Sequence, residues 1–137
     1  MTLLLPQAEP APTPRRRLDL VSPRTHALLD RLCLPLLLGC AWWARRRSQP
    51  AAAIILTHAV GEGTVGSITR FPTGIWPLIS FRTHVRIGQV GGTTLLALSY
   101  LLPSQPRAAR NLAIFWGLVP LVLTSLSDTS GQSDKAA

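Results

Sequence analysis

Ser22-Pro23-Arg24-Thr25-His26 returns later in the chain as Ser80-Phe81-Arg82-Thr83-His84, and Ser48-Gln49-Pro50 returns as Ser104-Gln105-Pro106. Two copies of one unit therefore fill nearly everything between the tails, about residues 22–69 and 80–128. Each copy reads as two apolar segments joined by a short basic or polar connection, a helical hairpin suited to a bilayer. Two such hairpins in tandem predict an all-α fold, a four-helix transmembrane bundle.

A chain of 137 residues allows one domain, and 47% hydrophobic with 15% charged residues is apolar for that length. The segments His26 to Ala44, Ala51 to Thr69, Ile87 to Leu102 and Ala108 to Leu126 each approach the roughly 20 residues that cross a membrane. Lipid offers no partners to backbone groups, so these segments must close their hydrogen bonds internally as helices. A water-soluble bundle would need a polar face on every helix. Leu112 to Leu126 has none, since Thr124 and Ser125 are its only polar side chains.

Residues 1–23 carry five of the twelve prolines and the Arg15-Arg16-Arg17 run, the composition of a disordered basic arm. Residues 127–137 read as a short disordered tail, leaving 24–126 as the membrane domain. Pro50 suits the first turn of the second helix, where its missing donor costs nothing. Trp42, Trp43 and Trp76 suit a headgroup boundary. With four spans, the termini and the central loop share one face with Arg15, Arg16, Arg17, Arg24, Arg70, Arg82 and Lys135. The other face carries Arg45, Arg46, Arg47, Arg107 and Arg110. This imbalance places the termini in the cytoplasm and the chain in the plasma (inner) membrane. The net charge of +8 fits anionic headgroups, and its division between two faces argues against nucleic acid as a partner.

Ionisable groups within the apolar segments are where chemistry would lie. His26 and Asp30 stand four apart on the first helix with Arg31 beside them, and His58 and Glu62 stand four apart on the second. Each pair shares a helical face. His84, Arg86 and Gln89 occupy the matching stretch of the third helix, so the polar groups converge in one half of the bilayer. Asp30 and Glu62 against Arg31 and Arg86 form a balanced set that pairs and ties the hairpins together, and this is the leading reading. A proton or ion path through the histidines and carboxylates is the alternative, as is a metal or haem held by His26, His58 and His84. No catalytic motif is present, so enzyme activity is not expected. No cofactor is required by the leading reading. Cys33 and Cys40, seven apart on one helix, are too distant to form a disulfide and read as packing residues.

Small residues recur four apart as Ala59, Gly63 and Ser67, as Gly88 and Gly92, and as Ala113 and Gly117, which predicts close helix packing and possible pairing with a second copy or another membrane protein. Pro35 and Pro120 lie inside the first and fourth helices.

The tandem layout, with His26-Ala27-Leu28-Leu29-Asp30 opening the first unit and Thr83-His84 opening the second after a proline-bearing loop, resembles small bacterial multi-pass proteins of the SPW-repeat kind. The Ser-Pro-Trp signature itself is absent, and Gly88 answers Asp30 in the second copy. The resemblance implies a bacterial membrane location and brings no catalytic residues. The reading is a structural or accessory multi-pass membrane protein in contact with the lipid bilayer.

Overall fold

The computed structural model describes residues 20–102 and 106–129. Most of the expected basic arm, residues 1–19, and the tail from 130 onward lie outside the described residues, as do Ser104 and Gln105. Four helices run in order: α1 Pro23–Arg45, α2 Gln49–Ile68, α3 Phe81–Leu101 and α4 Arg107–Ser125. They pack chiefly as two hairpins, α1 with α2 and α3 with α4, and α2 joins the hairpins through α3.

Serines set three of the helix starts. Ser22, Ser48 and Ser80 each accept a hydrogen bond from the backbone N–H three residues on, at Thr25, Ala51 and Thr83. Ser22 and Ser80 also bond the Thr25 and Thr83 hydroxyls at 3.0 Å, which explains why a threonine precedes His26 and His84. Because Ser80 caps it, α3 begins at Phe81, six residues before the apolar run at Ile87. This extension carries Arg82 and Arg86 into α3, and with Gln89 and several glycines and threonines they dilute its hydropathy. Among the described residues, α1, α2 and α4 are long and apolar enough to cross a membrane, whereas α3 is not.

At the end where α1 and α3 begin, two junctions close the bundle. Leu20 and Val21 donate to Leu126 O and Asp128 donates to Val21 O, while Leu78 and Ile79 donate to Ile68 O and Arg70 donates to Ile79 O. His26 and His84 stand 58 residues apart. Adding that same offset to the α2–α3 junction's partners at Ile68 and Arg70 gives Leu126 and Asp128, and subtracting it from Leu78 and Ile79 gives Leu20 and Val21. The isolated bridges Val21 to Ser127 and Thr69 to Ile79 match in the same way. Ser127, expected in the tail, is instead buried beside α1.

The interior is made of small residues, with Ala27, Ala44, Ala59, Ala109 and Ala113 fully buried around Leu37, Ile55, Leu95 and Trp116. The outside carries the large apolar side chains: Leu28, Leu32 and Leu36 on α1, Leu56 and Val60 on α2, Phe115, Leu118 and Val122 on α4. Each run recurs at helical spacing and faces away from the bundle, so the outer surface is a lipid-facing one. Trp42 and Trp76 are exposed at opposite ends, and the Arg46 and Arg47 guanidinium groups lie 5.1 and 3.7 Å from the rings of Trp42 and Trp43.

Gly92 and Gly117 set the α3–α4 approach. A methyl on Gly92 would stand 2.7 Å from Gly117 O, and one on Gly117 would meet Leu96 at 2.8 Å. Gly88 faces Thr124, and Gly63 faces the Leu34 side chain rather than backbone. Ala59, Gly63 and Ser67 therefore line a groove against Leu34 and Leu38 instead of a backbone-to-backbone seam. Gly92→Ala should lower the thermal midpoint of detergent-purified protein, the overpacking costing ~1–3 kcal/mol. Gly39→Ala, whose methyl meets nothing within 4 Å, should leave the midpoint unchanged or slightly raised. Equal stability of the Gly92 variant and wild type would contradict the close α3–α4 contact.

Candidate functional site

His26 and His84 each occupy the second turn of their helix, and the junctions bring them face to face. Both are 1% exposed. Their Nε2 atoms lie 3.2 Å apart, and their rings meet edge to face at a centroid distance of 5.1 Å. Asp30, one turn beyond His26 on α1, places Oδ1 3.5 Å from His26 Nε2 and Oδ2 3.2 Å from His84 Nε2. One carboxylate thus serves two imidazoles.

The outer nitrogens are held by the ends of the other two helices. His26 Nδ1 lies 2.6 Å from Ser127 Oγ, just past α4, and His84 Nδ1 lies 3.0 Å from Thr69 Oγ1, just past α2. Ser127 donates in turn to Leu123 O at 2.6 Å, and Thr69 donates to Val65 O at 2.6 Å. All four helices therefore meet at one buried centre. Phe81 packs edge-on against His26 at 5.0 Å, Phe71 does the same to His84 at 5.2 Å, and the two rings shield the centre on the loop side.

Three histidines and two carboxylates were expected to converge with two arginines. The structure unites His26, Asp30 and His84 and sets His58 with Glu62 apart, their Nε2 and Oε1 atoms 3.9 Å from each other. The arginines do not join. Arg31 is exposed and donates to Thr73 O in the central loop, and Arg86 and Gln89 are exposed on α3. Neither arginine forms an ion pair with Asp30 or Glu62 among the described residues. Helical geometry gives the reason. The buried face of α3 runs through His84, Gly88, Gly92, Leu95 and Ser99, and Arg86 falls about 200° round from His84. Arg31 falls about 100° from Asp30 and points out over the loop. The expected charge tie between acids and arginines is replaced by a histidine–carboxylate centre.

Thr69, Ser127, Phe71 and Phe81 were not foreseen as site residues. The signal for the first two was present: Thr69 and Ser127 are separated by the same 58 residues as His26 and His84. Cys33 and Cys40 are free and half-buried.

Below the centre, Asp30, Cys33, His58 and Glu62 line a cavity of about 30 Å³ closed by Leu34, Leu37, Trp116, Val119, Pro120 and Leu123. His58 and Glu62 also line a larger cavity of about 310 Å³ between α2 and α3, otherwise walled mainly by Ile54, Val65, Ile87, Leu95 and Leu98.

Fold and site together define a multi-pass helical membrane protein with a buried histidine–aspartate centre. Comparison with protein-family models, curated proteins and solved structures finds no match. Ser127→Ala removes the hydroxyl bonded to His26 Nδ1 at a buried position and should destabilise the folded protein by ~1–3 kcal/mol. Ser125→Ala, two residues away on the exposed face, should be near wild type; equal losses in the two variants would show that the Ser127 bond carries no weight.

Proposed function

We propose that this protein is a structural or accessory component of the membrane whose buried centre fastens two helical hairpins at one end. The observation that carries the reading is that His26, Thr69, His84 and Ser127, drawn from the ends of all four helices, meet at one buried centre, each histidine bonded through Nδ1 to a hydroxyl from another helix end and standing with Nε2 within 3.5 Å of the Asp30 carboxylate. Helices in lipid gain no hydrophobic drive from meeting each other, so packing of small residues and internal polar bonds must hold them. The junctions and the centre do this at the end where α1 and α3 begin.

The same proposal takes α3 as a fourth span, since it packs alongside the membrane-length α4. It takes the 58-residue match of junctions and histidines as a duplicated hairpin of the SPW-repeat kind, with a bacterial inner-membrane setting. The termini lie on the cytoplasmic side, where the larger share of arginine and lysine falls.

A proton path is favoured by one specific feature. The 30 Å³ cavity has room for water and touches Asp30 on one side and His58 and Glu62 on the other, and these two open on the larger α2–α3 cavity. In proteoliposomes, a path predicts proton flux that Glu62→Gln abolishes, while fastening alone predicts none with either protein.

The fastening reading is tested by a double-mutant cycle on His26 and His84, read as unfolding in mixed micelles. Because the two rings act as one unit, the His26→Ala and His84→Ala losses should be non-additive, with a coupling of roughly 1–3 kcal/mol. Additive losses, or none, would overturn it.

A further inference from the structure

The outer nitrogens of His26 and His84 decide what lies between the inner ones. Ser127 has one hydroxyl hydrogen, and its Oγ stands 2.6 Å from Leu123 O, an atom that can only accept. The hydrogen must lie between them, since two bare oxygens at that distance repel. Thr69 is committed in the same way to Val65 O at 2.6 Å. Both hydroxyls are left with lone pairs to offer the imidazoles. Nδ1 of each histidine must then carry its ring's hydrogen. A neutral imidazole has only one N–H, so both Nε2 atoms present lone pairs.

These lone pairs face each other at 3.2 Å, and the Asp30 oxygens stand 3.5 and 3.2 Å from them. Asp30 Oδ2 is buried and receives no hydrogen bond among the described residues. Three acceptors turned on one point repel unless a positive charge sits among them. One proton on one Nε2 reaches both other acceptors only as a bifurcated bond at 3.2 Å, weaker than two direct ones. A metal ion satisfies all three at once.

We infer that His26 Nε2, His84 Nε2 and a carboxylate oxygen of Asp30 hold a divalent first-row transition-metal ion of the zinc or ferrous class, with at least one coordination position left open. The separations fit such an ion, because two ligands about 2.0–2.1 Å from a tetrahedral centre stand about 3.3 Å apart. They do not fit a haem between the two rings, whose trans axial nitrogens would stand on the order of 4 Å apart with the macrocycle between them. His26, Asp30 and His84 bring one donor atom each within 4.8 Å of the others. The supports of a metal site are present too. Ser127 and Thr69 fix the tautomer and the ring orientation, as the hydrogen-bond partners of metal-binding histidines do. Two imidazoles and one carboxylate are a donor set that zinc and ferrous iron share.

The inference rests on the fastening reading in placing the ion at the same point, and the two fail separately. Full-length protein in detergent is stripped with chelator, titrated with Co²⁺ while the visible d–d bands are followed, and then back-titrated with Zn²⁺. About one Co²⁺ per chain is expected, with bands of a nitrogen–oxygen site that Zn²⁺ removes. His84→Gln and Asp30→Asn should lose the bands, and Thr69→Val should weaken affinity about 10–100-fold. His58→Ala and Glu62→Gln should bind as wild type. A folded native chain that takes up no Co²⁺ overturns the metal site and leaves the fastening intact, with a proton as occupant. Bands that persist at wild-type affinity in Thr69→Val and Asp30→Asn also overturn it. Uptake of Co²⁺ with no gain in resistance to unfolding would sink the fastening and keep the site.

Discussion

Two hydroxyl groups that give their hydrogens to helix carbonyls set the terms for the rest of this molecule. Because Ser127 and Thr69 are spoken for by Leu123 and Val65, they can only accept from His26 and His84. The histidines in turn direct their remaining nitrogens at each other and at Asp30. Each link requires a helix end in a fixed place. α2 must stop at Ile68 so that Thr69 reaches α3, and α4 must stop at Ser125 so that Ser127 reaches α1. The junction bonds hold these stops, and the central loop turns tightly enough that a side chain at Gly74 would stand 1.9 Å from Thr69 O. The buried centre and the backbone junctions therefore depend on each other.

The match between the two halves is close in the backbone and incomplete in the side chains. Both halves supply a capping serine, a threonine, a histidine and a hydroxyl at the same offset. Only the first half supplies a carboxylate, because Gly88 stands where Asp30 would recur. A side chain there would be tight, since a methyl at that position would stand 3.1 Å from Thr124 Cγ2. Phe71 and Phe81 likewise have no aromatic counterparts in the opposite half, where Thr129 and Pro23 stand at the same offset. The paired imidazoles therefore share one acid, Asp30, and are screened by aromatic rings on one side.

Much of the fold could be read from the chain. The repeated serine–threonine–histidine starts and the unbroken apolar runs carry helix count, order and hairpin pairing, because burial in lipid demands long apolar stretches and capping demands a hydroxyl at a fixed place. The site was half legible. His26 and Asp30 share a face at spacing four, but the spacing does not say which acid or base lies opposite. Counting Arg31 and Arg86 into the cluster gave weight to nearness in sequence over angle around the helix, and the angle prevails. Ser127 was hidden by its setting in a polar, glycine-bearing stretch that reads as a tail. The junction bonds had no residue signature at all, since backbone groups make them.

The position of the centre follows from the division of labour among the helices. α1, α2 and α4 carry the hydropathy that holds the protein in lipid, and this leaves α3 free to carry polar groups. α3 also packs against α4 and makes the main contact of its hairpin with α2. Its amino-terminal turns, with His84 inward and Arg86 outward, therefore sit where a polar interior and a polar membrane surface are only two turns apart. A charged centre placed midway along the bundle would be far from water on either side, whereas here the loop that carries Phe71 and Thr73 covers it directly. That loop and the cavity at Glu62 flank the centre on its two ends, and the apolar outer faces of the other three helices lie away from both.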